Sequence, residues 1–331
     1  MFDFIYLYKR GSFVQKITVV LTTFNRLQLL KRCFEKLLKE KDDVYEIIIC
    51  DDGSTDETKK YLRQIKNIDK VIVIENNHIG MSNNYNSGLV RATGDYIYII
   101  NDDDFISEGM FKEIDRYLQT HVDLVFTSGM GITKDGNRRI FKPYNNNILM
   151  TGKYLYMELA KRGNIILTGA IVFKRNLLNN SGYIQEKGGH LFDWELWMNI
   201  SRNASSCIYI NKPLLNYSVG NVGLRRDIGY IETSYWIVKR QFQKNKKFPK
   251  INKRYGIRIL LSDLLLLIES KKLIGTNQEK HFFNETLEIY KKYYKSEINI
   301  VISFLIVIIG NKLKTTIRRI NEKHYRNKFI A

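Results

Sequence analysis

Three consecutive carboxylates, Asp102-Asp103-Asp104, follow the apolar run Tyr96–Ile100. Adjacent negative charges after a buried strand repel one another and cost stability unless a cation or hydrogen-bond donors neutralise them. The cluster therefore reads as a metal site. Asp oxygens are hard ligands, and with few His or Cys nearby the fitting ion is Mg2+ or Mn2+, held by one or two carboxylates and by phosphate oxygens of a substrate. The competing reading is a solvated turn whose aspartates cap a helix beginning near Ser107. A second acidic pair opens Asp51-Asp52-Gly53-Ser54. Taken alone, that stretch is ordinary helix punctuation. Thr22-Thr23-Phe24-Asn25-Arg26 and Asn76-Asn77-His78 are two further polar clusters of the same kind, each closing an apolar run.

Positioning these clusters falls to an alternation of short β-branched runs and helical patterns. Strands are expected at Ile17–Thr23, Tyr45–Cys50, Val71–Glu75 and Tyr96–Ile100, with helices at Leu27–Lys39, Thr55–Gln64 and Met81–Ala92. Such alternation implies crossover connections and an α/β fold with a mostly parallel sheet flanked by helices. Ser54-Thr55-Asp56-Glu57 reads as a capping box at the start of the second helix. In an open parallel sheet, ligands bind outside the carboxyl ends of the strands, which is where all four polar clusters fall. From about residue 138 the pattern is mixed, with strands expected at Ile165–Phe173 and Cys207–Tyr209 around a helix starting near Asp193. On that helix Phe192, Leu196 and Ile200 make a buried stripe, leaving Asp193 and Trp197 on the neighbouring face. From the residues alone Asp193 can simply cap this helix.

The 331 residues are 44% hydrophobic and 26% charged, enough to bury a real core and incompatible with a disordered or fibrous chain. The 53 Lys+Arg exceed the 34 Asp+Glu by 19, a strong attraction for polyanions. This excess is uneven: residues 241–331 hold 20 basic and 7 acidic side chains, leaving +13 there and +6 in the first 240. Cys33, Cys50 and Cys207 lack disulfide or zinc spacing, which points to a reducing compartment. The start of the chain lacks a secretion-signal pattern, so the protein is expected to stay in the cytoplasm.

With these residues in order, the chain resembles glycosyltransferase family 2, the inverting, nucleotide-sugar-dependent enzymes of the GT-A fold. The resemblance covers roughly residues 16–220. It runs from Ile17–Arg26 through Ile49–Thr58, Asn77, Gly80, Asn86 and Gly88 to Gly94-Asp95-Tyr96-Ile97 and Asn101–Asp104, and closes with Phe192-Asp193-Trp194-Glu195-Leu196-Trp197. It implies that Thr22 and Phe24 line the nucleotide base pocket, that Asp51 accepts a hydrogen bond from the base, and that Arg26, Asp52, Asn77 and Asp102 lie around the donor. Asp103, with Asp104, would bind the metal, and Asp193 would be the general base. Two positions depart from the pattern. Asn101 stands where the metal motif usually begins with Asp, which leaves the principal ligand open among Asp102, Asp103 and Asp104. Tyr85 stands where many members carry Arg, with Arg91 as a candidate replacement.

The implied function is transfer of a sugar to a hydroxyl of a glycan or lipid-linked acceptor in surface polysaccharide assembly, from a donor that the same resemblance implies is UDP-linked. The implied organisation is an amino-terminal extension at 1–15, a catalytic domain at 16–227 with a nucleotide-sugar half to about 105 and an acceptor half after it, and a basic helical region at 228–331. Helices are expected there at Ile228–Asn245, Ile251–Ser270 and Gln278–Tyr294. Ile298–Ile309 would span about 18 Å as a helix, short of a hydrocarbon core of about 30 Å, so no membrane span is expected. Leu313, Ile317, Ile320 and His324 form the apolar stripe of a basic amphipathic helix that suits an anionic membrane surface. Nucleic acid is not an expected partner, since no binding motif appears and the charge lies outside the α/β region. The remaining reading is a non-catalytic, basic, membrane-surface binding protein with a degenerate sugar-nucleotide domain. Gly188-Gly189 and His190, and a loop from Gly220 to Gly229 with Asn221, Arg225 and Arg226, are further candidates for closure over the substrates. The other histidines, His78 among them, read as structural.

Overall fold

The computed structural model describes residues 15–185 and 191–219, together with Ile237. His190 and its glycines, the Gly220–Gly229 loop and the expected basic helices lie outside the described residues. The elements run β1 (Ile17–Thr23), α1 (Leu27–Lys39), β2 (Glu46–Asp51), α2 (Thr58–Ile65), β3 (Val71–Glu75), α3 (Met81–Arg91) and β4 (Tyr96–Asn101). They continue with β5 (Phe105–Ile106), α4 (Met110–Leu118), β6 (Leu124–Thr133), β7 (Arg138–Phe141), β8 (Ile148–Met150), α5 (Gly152–Arg162), β9 (Ile171–Lys174), α6 (Leu177–Ser181), α7 (Phe192–Asn203) and β10 (Cys207–Val219).

The strands form one sheet in the order β3-β2-β1-β4-β9-β6-β10-β5, with β7 added to β6 and β8 to β10. The first four are parallel. β1 is buried along its whole length, as expected of a strand with both faces covered. α1 covers it with Leu30, Cys33, Phe34 and Leu37, the i, i+3, i+4, i+7 spacing of an apolar stripe. Because β1 lies between β2 and β4, the chain order reverses across it, and a crevice opens at the carboxyl edge beside Thr22, Thr23 and Asn101. Among the described residues no helix is long and apolar enough to cross a membrane.

The structure corrects several expected bounds. α2 begins at Thr58, not Thr55, because Ser54 is drawn into the preceding turn: its hydroxyl and amide both donate to Asp51. Asp56 accepts from the Thr58 amide in its place. The helix after the acidic cluster starts at Met110 instead of near Ser107, whose hydroxyl and amide bond the β10 backbone. Of the expected Ile165–Phe173 run only the part from Ile171 on is strand, in a β9 that continues to Lys174 and is preceded by a 3-10 turn at Thr168–Ala170. β10 is far longer than Cys207–Tyr209 and is kinked by register shifts at Pro213, where the ring removes a ladder donor.

α7 corrects a narrower expectation. Its burial is not confined to one stripe: Trp194, Glu195, Leu196, Trp197, Met198, Asn199, Ile200 and Ser201 are all buried. The helix is packed from several sides, with the Trp194 indole donating to the Leu159 carbonyl of α5 (3.1 Å) and the Trp197 ring against Phe173 of β9.

Candidate active site

At the end of β1, the Thr23 hydroxyl donates to Asp102 Oδ2 (2.8 Å) and the Arg26 guanidinium donates to Asp102 Oδ1 (3.2 Å). Arg26 also stands 3.6 Å from Asp103 Oδ2. Asp104 accepts from the Ser218 amide of β10 (3.1 Å), and the Ser218 hydroxyl donates to the Asp103 carbonyl (2.7 Å). Asp102 and Asp103 thus share Arg26, while Asp104 turns to β10. Asp102 and Asp104 are buried, while the Asp103 side chain is 30% exposed. Burial pushes Asp102 up to about 6, opposed by Thr23 and Arg26 and reinforced by Asp103. Burial and then the Asp103 charge push Asp104 up to about 7.

Among the described residues no three His, Cys, Asp or Glu side chains converge on one point. The described residues alone therefore build no complete metal cage. The donor set still fits a hard divalent ion of the kind held by one or two carboxylates with substrate oxygens filling the remaining positions. One carboxylate faces outward, and its two neighbours carry raised pKa values that added positive charge would relieve.

On the other side of β1, Asp51 is fully buried. Its carboxylate accepts the Ser54 amide (3.0 Å) as well as the Ser54 hydroxyl, and burial raises its pKa. Asp52 accepts the amides of Ile79 (2.7 Å) and Gly80 (3.1 Å) and so clamps the turn between β3 and α3. Gly53 allows that approach: its φ is +80°, and a Cβ there would come within 2.9 Å of the His78 amide nitrogen. Phe24, 38% exposed, stacks on the His78 ring at 4.7 Å, and His78 Nδ1 lies 3.5 Å from Asp52. His78 therefore packs against Phe24 and beside Asp52. It follows strand three and takes up a left-handed φ of 51°. Asn77 sits exposed on the same turn.

The two departures from the family pattern touch each other. Tyr85 is fully buried, and its hydroxyl donates to Asn101 Oδ1 while its ring packs 5.0 Å from that of Phe192. Arg91 does not replace it, being exposed in the last turn of α3, about 9 Å along the axis from Tyr85 and toward the amino edge of the sheet. Asn86 ties the two halves of the domain instead, donating to the Ile184 carbonyl (2.8 Å) and accepting its amide (3.0 Å).

Asp193 lies in the first turn of α7, one residue past Phe192. Its Oδ2 accepts from the Asn164 amide (2.8 Å) and the Thr168 hydroxyl (3.0 Å), and its Oδ1 accepts from the Trp194 amide (2.7 Å). Leu191, not Asp193, occupies the helix-cap position. Burial pushes the Asp193 pKa up to about 6 against these three donors. Neither Asn164 nor Thr168 was foreseen, because partners 29 and 25 residues away leave no local pattern.

The structure thus sets a half-buried carboxylate with three fixed donors in the first turn of α7 and an acidic turn at the carboxyl end of β4, linked through Phe192, Tyr85 and Asn101. Residues 18–181 match the profile described as Glycosyl transferase family 2. The chain belongs to glycosyltransferase family 2. A 28% identical stretch of 211 residues aligns with the GalNAc(5)-diNAcBac-PP-undecaprenol beta-1,3-glucosyltransferase of Campylobacter jejuni, covering 62% of this chain and 65% of that protein. The chain spans about a third of several other curated relatives. The structure of S. aureus TarS 1-349 in complex with UDP-GlcNAc aligns with a TM-score of 0.66 at 16% identity, over 84% of this chain and 81% of that one. The mannosyltransferase PcManGT from Pyrobaculum calidifontis, solved with GDP-Man and Mn2+, aligns with a TM-score of 0.53 at 15% identity, over 91% and 88%. At these identities the two structures establish the GT-A fold alone.

Proposed function

We propose that this glycosyltransferase moves a sugar from a UDP-linked donor to a hydroxyl of a lipid-linked glycan, with inversion at the anomeric carbon and Asp193 as general base. The observation that carries the reading is the setting of Asp193: a desolvated carboxylate with three fixed donors, joined to the donor-side turn through Phe192, Tyr85 and Asn101. The acceptor oxygen forms its bond to the anomeric carbon as its proton passes to the Asp193 carboxylate. The bond to the diphosphate oxygen breaks, and its electron pair leaves with the nucleoside diphosphate. A pKa near 6 leaves Asp193 ionised at neutral pH and closer to the operating pH than an ordinary carboxylate.

On the donor side, Thr22, Phe24 and Asp51 surround the base, with Asp52 and Asn77 shaping the β2 and β3 turns. Arg26 and Asp102 fix the acidic turn. Asp103, the outward carboxylate, is the residue that would hold Mg2+ or Mn2+, and Asp104 holds the turn against Ser218. A divalent ion bound there would supply charge neutralisation for the departing diphosphate. The lipid-linked acceptor rests on the name of the Campylobacter relative and on the basic sequence after residue 240. Together these support action at the cytoplasmic face of a membrane, with residues 16–227 as the catalytic domain.

The test is transfer from a panel of UDP- and other nucleotide-sugars with Mn2+ to membrane lipid extracts, with the product anomer read by NMR. Inverted product, lost in Asp193→Asn, is expected. Retained configuration, or full activity in that variant, would overturn the assignment.

A further inference from the structure

Arg26 stands between β1 and α1, and its backbone is fixed from both sides. The Asn25 amide donates to the Ser54 hydroxyl (2.8 Å) and the Asn25 side chain accepts the Thr55 amide (2.7 Å), while the Arg26 carbonyl accepts the Leu30 amide of α1 (3.0 Å). Its side chain makes no cap bond to the helix and is 42% exposed. A half-exposed side chain on a fixed backbone can exchange partners without the main chain moving. One nitrogen of that guanidinium, Nη1, lies 3.2 Å from Asp102 Oδ1 and 3.6 Å from Asp103 Oδ2. Among the described residues it belongs to the only cation within ion-pair distance of either carboxylate.

Other groups already hold the acidic turn in shape. The Asp103 carbonyl accepts from the Arg32 guanidinium and from the Ser218 hydroxyl (2.7 Å). Asp104 accepts the Ser218 amide (3.1 Å), and Asp102 keeps the Thr23 hydroxyl (2.8 Å). Arg32 is steadied in turn over the Phe105 ring, 4.9 Å from its centroid. What Arg26 alone supplies is positive charge shared between two carboxylates, one of them only 3% exposed. A divalent ion would supply the same charge to the same oxygens, because adjacent carboxylates withdrawn from water need neutralising. Two cations drawn to one pair of oxygens repel each other, so the ion and the guanidinium compete for this place.

We propose that Arg26 is the resident counter-ion of the acidic turn in the metal-free protein, and that it must leave Asp102 and Asp103 for a divalent ion to enter. The inference rests on the glycosyltransferase reading and adds to it a coupling between metal and donor. The displaced guanidinium needs a new anion, and a nucleoside diphosphate provides one, since guanidinium pairs with phosphate oxygens bidentately. Metal is therefore held weakly until nucleotide is present, and by linkage each ligand raises the affinity of the other.

The test measures Mn2+ binding to the full-length protein through the EPR signal of the free ion, with and without saturating UDP, for wild type, R26Q and R26K. It is run at about pH 8.5, well above the range in which Asp102 titrates. Without UDP, R26Q should bind Mn2+ several-fold more tightly than wild type because the competing charge is gone, and R26K, which keeps that charge, should stay within about twofold of wild type. UDP should raise the Mn2+ affinity of wild type by a larger factor than that of R26Q. Equal or weaker Mn2+ binding by R26Q without UDP would overturn the proposal, since loss of a merely structural contact predicts that result. An equal effect of UDP on wild type and R26Q, or no Mn2+ binding by any of the three proteins, would overturn it too. A crystal structure of wild type with Mn2+ and UDP gives a check that depends on no variant: Arg26 should bond a phosphate oxygen, and a guanidinium still within about 4 Å of both carboxylates would contradict the exchange. Failure of the glycosyltransferase reading would show separately, as absent UDP binding by wild type.

Discussion

The ring of Phe192 packs 5.0 Å from the ring of Tyr85, and Tyr85 bonds Asn101 through its hydroxyl. Phe192 precedes Asp193, and Asn101 precedes the acidic turn. One buried aromatic pair therefore joins the helix of the proposed base to the turn of the proposed cation site. Tyr85→Phe keeps the ring and removes the bond to Asn101. We expect it to cost about 1–2 kcal/mol in chemical denaturation, whereas Tyr85→Ala should cost about 3–5 kcal/mol through the cavity it leaves.

As the proposed general base, Asp193 should set the acid limb of the rate profile. With its pKa pushed up to about 6, kcat should fall about tenfold per unit as pH drops below 6 and level off above 7. Asp193→Asn should lower kcat by roughly a hundredfold to ten-thousandfold. The same variant separates chemistry from folding. A carboxylate whose folded pKa lies above its unfolded value of 3.8 favours the folded state in its protonated form. That contribution is fully present below pH 3.8 and is lost as pH rises through about 6. Relative to wild type, Asp193→Asn should therefore gain stability between pH 4 and 7, on the order of 1–3 kcal/mol, read by melting temperature across that range.

Thr168 and Asn164 hold the Asp193 carboxylate in its charged form. Replacing Thr168 with Val removes a donor that lowers the pKa, so the acid limb should move upward by roughly half a unit to one unit. The variant should be several-fold slower than wild type at pH 6 and close to it at pH 8.5. An unmoved limb would mean that another group controls the profile.

Much of this was legible in the sequence, and the misses have physical causes. The α/β half declares itself because β-branched runs such as Val19-Val20-Leu21 and the stripe Leu30, Cys33, Phe34, Leu37 obey different periods. Ser54 misled because its hydroxyl could cap a helix or bind a carboxylate, and the buried Asp51 charge three residues back wins. The Asn164, Thr168 and Asp193 group was invisible, since only tertiary packing brings loop residues onto a helix more than two dozen positions away. α7 defeated its stripe because amphipathic reading assumes one solvent face, and Trp194 and Trp197 fill two buried ones.

Asp103 carries the cation prediction. Wild type with Mn2+ and UDP each at a hundredfold excess over their dissociation constants should gain about 2.7 kcal/mol per saturating ligand, a rise of several degrees in melting temperature for a domain of this size. Asp103→Asn should lose the Mn2+-dependent part of that rise and keep its unliganded melting temperature, because Asp103 is the least buried of the three carboxylates. A full Mn2+-dependent rise in the variant would move the ligand role elsewhere.

The proposed mechanism requires Asp193 and Asp103 to serve one reaction centre, and a crystal structure of Asp193→Asn with Mn2+ and the nucleotide-sugar that wild type turns over tests this most directly. We expect the substituted side chain at position 193 to lie about 4–6 Å from the anomeric carbon, on the face opposite the diphosphate, with room for one hydroxyl oxygen at near-attack distance. A separation beyond about 10 Å, or a side chain on the diphosphate face, would contradict the mechanism.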